Sequence, residues 1–255
     1  MVMRSRSFPG SRMSVLVAVL MVAPVAYSCS PPADPARATV QRIVEDLAAQ
    51  RYGNATAVYR EAEDLVLSEA AADSWRRALG HEDATVRQWA VDALSRIGDP
   101  DDLARIVAAL DDPFRKVQEI AAEGLVRMDP GSAREIFMAR LDAPDTMGRV
   151  LAAQTLADMG ETAAVPSMIE QLQDDSLDDG VRDVMAQSLG RLGDPRAAAP
   201  LVDLALDAGA DPQLRRSAAD AVTFLPAAES RDALRRLRQS NDAYIRDLAE
   251  RALRN

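Results

Sequence analysis

Apolar residues recur along most of the chain at the spacing of one face of an α-helix. In a representative stretch the apolar positions are Val86, Trp89, Ala90, Ala93, Leu94 and Ile97. Intervals of three and four residues place these side chains on one wide stripe of a helix. Arg87, Gln88 and Asp92 fall on the opposite side. The pattern therefore predicts an amphipathic helix with one buried side and one side facing away from the core.

The same pattern returns at a nearly constant period. The anchor residue of this helix recurs in steps of 31 or 33 residues, at Leu94, Leu125, Leu156, Leu189, Val222 and Leu253. A second helix ends in steps of 31 or 34 residues, at Leu79, Leu110, Leu141, Leu172, Leu206 and Leu237. Two interleaved series with one period indicate an array of helix pairs. Because each pair can bury its apolar stripe only against the next pair, we predict an all-α fold, an α-solenoid.

The segments between the helices carry residues that begin and end helices. Gly98-Asp99-Pro100 and Gly193-Asp194-Pro195 place a glycine at a helix C-terminus and an aspartate before the next helix. An aspartate precedes an arginine by four residues at Asp83 and Arg87, Asp145 and Arg149, Asp178 and Arg182, Asp211 and Arg215, and Asp242 and Arg246. We predict that each aspartate caps its helix and that each arginine has a nearby carboxylate as partner. A ladder of arginines for anions is the alternative. In the second repeat, Asp112-Pro113 is predicted to supply the cap, and Gln118 replaces the arginine.

These residues resemble the HEAT-like repeats first described in phycobilisome lyases. The unit of that family contains a capping aspartate, Val-Arg, Ala-Ala, Leu and then Gly-Asp-Pro. Val86-Arg87, Val181-Arg182, Ala121-Ala122 and the two Gly-Asp-Pro turns match it, over about residues 74–253. The resemblance implies a right-handed superhelix in which the helix beginning near Val86 and its equivalents line the concave side. Repeats of this kind specify a fold and leave the function open.

The N-terminal segment has the pattern of an export signal. Three arginines and no acidic residue accompany an apolar run over residues 13–26. As a helix this run would rise about 21 Å, short of the ~30 Å hydrocarbon core of a bilayer. Cys29, the only cysteine, comes three residues after the end of this run and resembles the lipidated cysteine of bacterial lipoproteins. Ala26 and Tyr27 depart from the residues that the lipoprotein motif prefers, so ordinary cleavage and an uncleaved anchor remain alternatives.

The predicted organisation has three parts. Residues 1–28 are the signal peptide, residues 29–38 a proline-rich tether, and residues 39–255 the solenoid. Within the solenoid, residues 39–80 form helices that cap the N-terminal end, and residues 81–255 form the repeats. We expect a periplasmic or membrane-anchored lipoprotein of the bacterial envelope, attached through a lipid at Cys29 rather than through a transmembrane helix.

Charge narrows the choice of partners. The chain has 30 basic and 40 acidic residues, a net charge of −10. The predicted signal peptide holds three of the basic residues, so the remainder carries 27 basic and 40 acidic residues, a net charge of −13. A surface this acidic repels phosphate backbones. Nucleic-acid binding is therefore disfavoured.

Residues suited to catalysis or metal binding are sparse. His81 is the only histidine, whereas a metal centre in a helical array needs ligands from several helices. Deoxyhypusine hydroxylase, which belongs to the HEAT-like group, uses several His-Glu pairs, and this chain has only His81-Glu82. The acidic stretch at residues 174–180 lacks the spacing of an EF-hand and is predicted to be a loop that caps the next helix. We predict no catalytic residue, no metal and no cofactor.

One extended surface remains as a candidate site, namely the polar side of the helix that carries Val86 to Ile97 and of its equivalents in the other repeats. Side chains predicted to face away from the core there, and to contact an unknown protein partner, are Gln88, Asp92, Glu119, Glu123, Val150, Gln154, Asp183, Gln187, Arg216 and Asp220. Val150 and Ala153 are predicted to form a weakly apolar centre. Repeat solenoids present such extended surfaces to peptides and proteins, and plain solvated surface is the alternative.

The pattern predicts a non-catalytic protein-interaction scaffold that binds its partner through the concave face. Two other functions stay open. One is a metal-dependent or lyase-type enzyme built on the repeats, and the other is a structural accessory subunit held by one rim.

Overall fold

The structure is a computed structural model and describes residues 34–254. Four helices form its N-terminal part: α1 (Pro35–Ala48), α2 (Tyr52–Glu61), α3 (Glu63–Val66) and α4 (Glu69–Ala78). The helices that follow are α5 (Ala84–Ile97), α6 (Leu103–Ala109), α7 (Arg115–Met128), α8 (Pro130–Leu141), α9 (Thr146–Asp158), α10 (Val165–Gln173), α11 (Asp179–Leu192), α12 (Ala198–Leu206), α13 (Pro212–Val222), α14 (Ala227–Leu237) and α15 (Ala243–Ala252). Over the described residues there is no β-strand.

From α4 onward the helices alternate between two rows. We call α4, α6, α8, α10, α12 and α14 the even helices, and α5, α7, α9, α11, α13 and α15 the odd helices. Each even helix packs on the odd helix that follows it, and successive odd helices lie side by side. This arrangement confirms the predicted α-solenoid of helix pairs.

The apolar stripes of both rows meet in one continuous core. Five of the six predicted anchor residues are fully buried, namely Leu94, Leu125, Leu156, Leu189 and Val222. Leu253 is only partly buried because no further repeat packs on it in the described chain. The even helices end within one residue of the predicted positions. The period of the sequence therefore fixes both the helix ends and the buried stripe.

The aspartates of the Asp–Arg series cap the odd helices as predicted. The Asp83 carboxylate accepts the backbone N–H of Thr85 at 2.7 Å, and the Asp242 carboxylate accepts those of Tyr244 and Ile245 at 2.8 and 3.3 Å. The bonds from Asp83 and Asp242 satisfy backbone donors that the first turn of a helix leaves without a partner. In the second repeat the prediction that Asp112-Pro113 supplies the cap is wrong, because Phe114 occupies the N-cap of α7 and makes no side-chain capping bond. Asp112 accepts the N–H of Phe114 at 2.9 Å, before the helix begins.

The arginines of the series make a contact that the sequence analysis did not predict. None of the five pairs with the aspartate four residues before it within the described chain, and each instead donates to a backbone carbonyl before its own helix. The donor and acceptor pairs are Arg87 to His81, Arg149 to Ala143, Arg182 to Leu172, Arg215 to Ala205 and Arg246 to Ser240, at 2.8–3.2 Å. Gln118, which replaces the arginine in the second repeat, makes the same kind of bond and donates to the Asp112 carbonyl at 2.7 Å.

These contacts correct the prediction that a nearby carboxylate explains every arginine. Arg87 does pair with Asp112 of the next repeat at 2.7 Å, and Arg182 with Asp175 at 2.8 Å. Arg87 and Arg182 are buried rather than solvent-facing. A guanidinium has several donors in a fixed fork, so one side chain can hold both a carbonyl and a carboxylate. The series therefore ties each odd helix to the last turn of the even helix before it, as at Leu172 and Ala205, or to the residues between the two helices.

The N-terminal part differs from the prediction at two places. Helix α1 begins at Pro35, four residues before the predicted start of the solenoid, because Asp34 caps it and Pro35 suits the first helical position. The residues Tyr52-Gly53-Asn54 predict a turn from their sequence, and they instead form the first turn of α2. The chain turns just before it, where Gln50 has a φ of 58°. Residues 35–38, predicted to belong to the tether, are therefore helical.

Candidate partner-binding surface

Three clefts follow one another along the odd helices. The first cleft, about 290 Å³, lies between α5, α7 and the side chain of Tyr59. The second cleft, about 430 Å³, lies between α7 and α9. The third cleft, about 410 Å³, lies between α9, α11 and α13. Gln154 lines both the second and the third, so these two clefts adjoin.

The first cleft has an aromatic wall. The rings of Tyr59 and Trp89 meet edge to face, with centroids 5.3 Å apart and an interplanar angle of 89°. Arg96 donates to the Tyr59 hydroxyl at 2.8 Å and also pairs with Glu63. Burial raises the pKa of Tyr59, although Arg96 acts in the opposite direction. Trp89, predicted as a core residue, is only partly buried because it forms this wall.

Small residues decide how closely neighbouring odd helices approach. A Cβ atom added at Gly124 of α7 would lie 2.8 Å from the Cβ of Ser95 on α5, and one added at Gly190 of α11 would lie 2.9 Å from the Cα of Ala221 on α13. The equivalent positions of α7 and α9 are occupied by the larger Val126 and Thr155. Both side chains line the second cleft, and α7 packs less closely on α9 than α5 does on α7. The bulk of this pair accounts for the cleft.

Arginines near the ends of the odd helices clamp them together. Arg127 of α7 donates to Ser95 of α5 at 2.7 Å, and Arg191 of α11 pairs with Asp158 of α9. Asp158 occupies the corresponding position on α9. Within the described chain, then, no arginine at this position joins α9 back to α7. The missing clamp and the larger Val126–Thr155 pair act in the same direction, because both leave the α7–α9 junction open.

The third cleft combines an apolar wall with an unpartnered hydroxyl. Phe224, at its edge, leaves 68% of its surface exposed. Ser188 is fully buried in the cleft wall, and its hydroxyl has no hydrogen-bond partner among the described residues. Asp220 accepts the Tyr244 hydroxyl at 2.9 Å, which raises the pKa of Tyr244. A cleft of this kind can receive an apolar side chain and one polar group beside it.

Most of the side chains predicted to contact a partner line these clefts. They are Gln88 and Asp92 in the first cleft, Glu119 and Glu123 in the second, Gln154 in both the second and the third, and Gln187 and Asp220 in the third. Asp183 does not line a cleft and accepts the Gln187 amide at 2.8 Å. Arg216 pairs with Asp242 at 3.0 Å and stacks on the ring of Tyr244, outside the clefts.

Val150, predicted to face a partner, is buried instead. Its side chain is only 8% exposed and belongs to the core, and Ala153 is fully buried. A valine at this position has no polar group to keep in water, so it packs inward where Gln88, Glu119 and Asp183 are partly exposed. The predicted apolar centre at these two residues is therefore wrong. The apolar surface lies instead in the floors of the clefts.

Four residues that line the clefts are not among the contact residues predicted from the sequence. Arg127, Asp158, Arg191 and Phe224 line the second or third cleft. Each follows a predicted contact residue by four positions, one helical turn further on. Extending the predicted stripe by one turn towards the C-terminus of each odd helix would have found them.

The other candidates from the sequence have local structural roles or fall outside the described residues. His81 accepts the backbone N–H of Asp83 at 3.0 Å through Nδ1. In the acidic loop, Asp175 and Asp179 pair with Arg182, while Asp178 caps α11. Over residues 34–254, no group of three or more His, Cys, Asp and Glu side chains is placed to hold a metal ion. Cys29 and the predicted signal peptide lie outside the described residues.

No helix among residues 34–254 is both long enough and apolar enough to cross a membrane. The class that the two rows and the clefts define is an α-solenoid with a row of clefts along the odd helices. The HEAT repeat profile matches the chain at residues 41–125, 103–184 and 176–254, and the chain therefore belongs to the HEAT repeat family. No curated protein matches the chain significantly in sequence.

Solved structures are similar to this chain at low sequence identity. An engineered protein is 20% identical over 72% of this chain and 97% of its own, with a TM-score of 0.47. Human deoxyhypusine hydroxylase is 17% identical over 86% of this chain and 96% of its own, with a TM-score of 0.41. A phycocyanin lyase complex from Nostoc sp. is similar to the chain at 19% identity, over 98% of each chain, with a TM-score of 0.40.

Proposed function

We propose that this chain is a non-catalytic scaffold of the bacterial cell envelope that binds a protein partner along the odd helices. The observation that carries the proposal is the row of three clefts. Their floors are apolar, with Trp89 in the first, Leu151 in the second and Val184 in the third, while acids, amides and arginines form their rims. An apolar centre with a polar rim is the composition of protein interfaces.

Partner recovery tests the binding face. The full chain carrying Asp92→Lys, Glu123→Lys and Gln154→Lys places one new cation on each of α5, α7 and α9. The control carries Glu135→Lys, Glu170→Lys and Gln173→Lys, which make the same change in charge at exposed positions of α8 and α10. We expect cross-linking in intact cells, followed by purification from solubilised envelope, to recover the partner with the control and not with the cleft variant. Equal recovery by both would rule out the cleft face and favour an accessory subunit held by a rim.

The envelope location and the lipid anchor rest on the sequence before residue 34. Basic residues, an apolar run and Cys29 succeed one another in the order found in lipoprotein precursors. One acyl chain binds membranes only marginally, whereas several chains on one residue hold a protein stably. We expect the wild-type chain to partition into the detergent phase and Cys29→Ala to lose labelling by a radioactive fatty acid. Unchanged labelling of Cys29→Ala would refute the anchor, and labelling of neither protein would indicate ordinary cleavage or an uncleaved signal.

A further inference from the structure

The cations around the second and third clefts are already engaged. Arg191 pairs with Asp158 and also donates to the Gln154 carbonyl. Arg127 donates to Ser95 at 2.7 Å and lies 3.6 Å from Asp92. Both guanidinium groups are therefore turned to the neighbouring odd helix, and their charge is compensated there.

The anions of the same clefts are less fully compensated. Glu123 is exposed and forms no ion pair with another described residue. Asp220 accepts a neutral hydroxyl, that of Tyr244, and pairs with no cation in the described chain. Of the four acidic residues that line the two clefts, Asp158 pairs with Arg191, and Glu119 pairs with Arg115 and Lys116. Glu123 and Asp220 are the two that have no cation as partner among the described residues. The charge left for an occupant to neutralise is therefore negative.

Two buried polar atoms of α11 have no hydrogen-bond partner among the described residues. The Ser188 hydroxyl lies in the wall of the third cleft, fully buried and without a hydrogen-bond partner. On the same helix, Asp183 accepts Gln187 through one carboxylate oxygen, while its other oxygen is buried and has no partner. Buried polar atoms nearly always have partners in folded proteins. Of these two residues only Ser188 lines a cleft, so its hydroxyl is the group that a polar atom of an occupant would pair with.

We infer that the occupant of the second and third clefts is a basic segment of a partner protein that carries large apolar side chains. Its apolar side chains contact Leu151 and Met159 in the second cleft, and Val184 and Phe224 in the third. Its Lys or Arg side chains lie beside Glu123 and Asp220, where the charges are complementary. This inference rests on the proposed scaffold function and adds the chemistry of the partner.

Selection from a random peptide library displayed on phage, with the purified full chain as target, tests the inference. We expect the selected peptides to be enriched in Lys or Arg together with Leu, Phe or Trp. A labelled peptide from this set should bind the wild-type chain in fluorescence anisotropy, and its affinity should fall as salt is raised, because exposed charges are screened. The double variant Glu123→Lys and Asp220→Lys should weaken this binding by about tenfold or more, since two attractive contacts become repulsive.

The control is Glu135→Lys with Glu170→Lys, which alters the net charge by the same amount on the even helices. A similar loss of affinity in this control would show attraction to the net charge alone and would overturn the inference. Selected peptides that are neutral or acidic, and that lose binding on Gln154→Lys, would overturn the basic partner and leave the scaffold function standing. Failure to select any peptide that depends on the clefts would count against both.

Discussion

The contact between α11 and α13 offers a sharp test of how the solenoid is packed. A Cβ atom at Gly190 would lie 2.9 Å from both the Cα and the Cβ of Ala221, and 3.1 Å from its carbonyl oxygen. Two of these atoms belong to the backbone, so a rotamer change cannot relieve the overlap. The two helices must instead separate by several tenths of an ångström. Gly190→Ala is thus the smallest substitution that forces this junction apart.

The magnitude follows from two opposing effects. Overpacking of a close contact costs about 1–3 kcal/mol. Alanine is favoured over glycine within a helix by roughly 1 kcal/mol, which offsets part of that cost. Because the overlap is with backbone, we expect a cost of about 2–3 kcal/mol, at the upper end of that range, so Gly190→Ala should lower the free energy of unfolding by about 1–2 kcal/mol. Gly53→Ala is the matched control, because Gly53 is also helical and has no atom within 4 Å of the added Cβ.

Urea unfolding followed by circular dichroism measures both variants. Gly53→Ala should raise the free energy of unfolding by roughly 0.5–1 kcal/mol through helix propensity alone. The two substitutions should therefore move the unfolding midpoint in opposite directions. Equal stabilisation by both would refute the argument, because it would mean that the α11–α13 contact accommodates a methyl group without separating the helices.

Three further predictions concern hydrogen bonds and charge. Arg182→Ala should lower the free energy of unfolding by about 1–3 kcal/mol because the Leu172 carbonyl loses its donor. Arg182→Gln should lower it by less, since Gln118 makes the same kind of bond in the second repeat. Equal losses of stability in urea titrations of the two variants would contradict this. The hydrogen bond from Arg87 lowers the pKa of Asp112. The Asp112 carboxylate therefore stabilises the fold at pH values above its ordinary pKa, and this contribution is lost as the pH falls through the lowered pKa. The stability gap between wild type and Asp112→Asn should therefore be constant near neutral pH and close below about pH 4, and a gap that persists in acid would contradict the sign. The hydrogen bond to Asp220 raises the pKa of Tyr244, so Asp220→Asn should lower that pKa. Spectrophotometric titration of tyrosinate absorbance measures it, and comparison of Tyr244→Phe with the wild type identifies the Tyr244 signal. An unchanged titration curve in Asp220→Asn would exclude the contact.

The fold could be predicted because its determinants repeat along the sequence. Anchors such as Leu94 and caps such as Asp83 act within their own helix, so the period alone places them. The side of the odd helices that lines the clefts was predicted for the same reason, as Asp92 and Glu123 occupy one stripe. Each of these residues depends on local geometry that every repeat shares.

The features that were not predicted depend on distances between repeats. Arg149 was expected to find a carboxylate, and its partner is a carbonyl that approaches only when the turn folds back. Val150 is buried because the side of α9 that carries it faces the core. The repeat period of the sequence does not predict this burial. The clefts themselves arise where side-chain volumes differ between repeats, as at Val126 and Thr155. Such differences break the pattern on which the prediction relied.

The junction of α7 and α9 has a mechanical consequence. On either side of it the odd helices are locked by small-residue contacts and by arginines, whereas here Val126, Thr155 and Asp158 leave the pair loosely joined. We expect bending to be easier at this junction than at the α5–α7 and α9–α11 junctions on either side of it, where the helices pack more closely. The second cleft lies at this junction. Its width, and with it the distance between the first and third clefts, should change when the two helices separate.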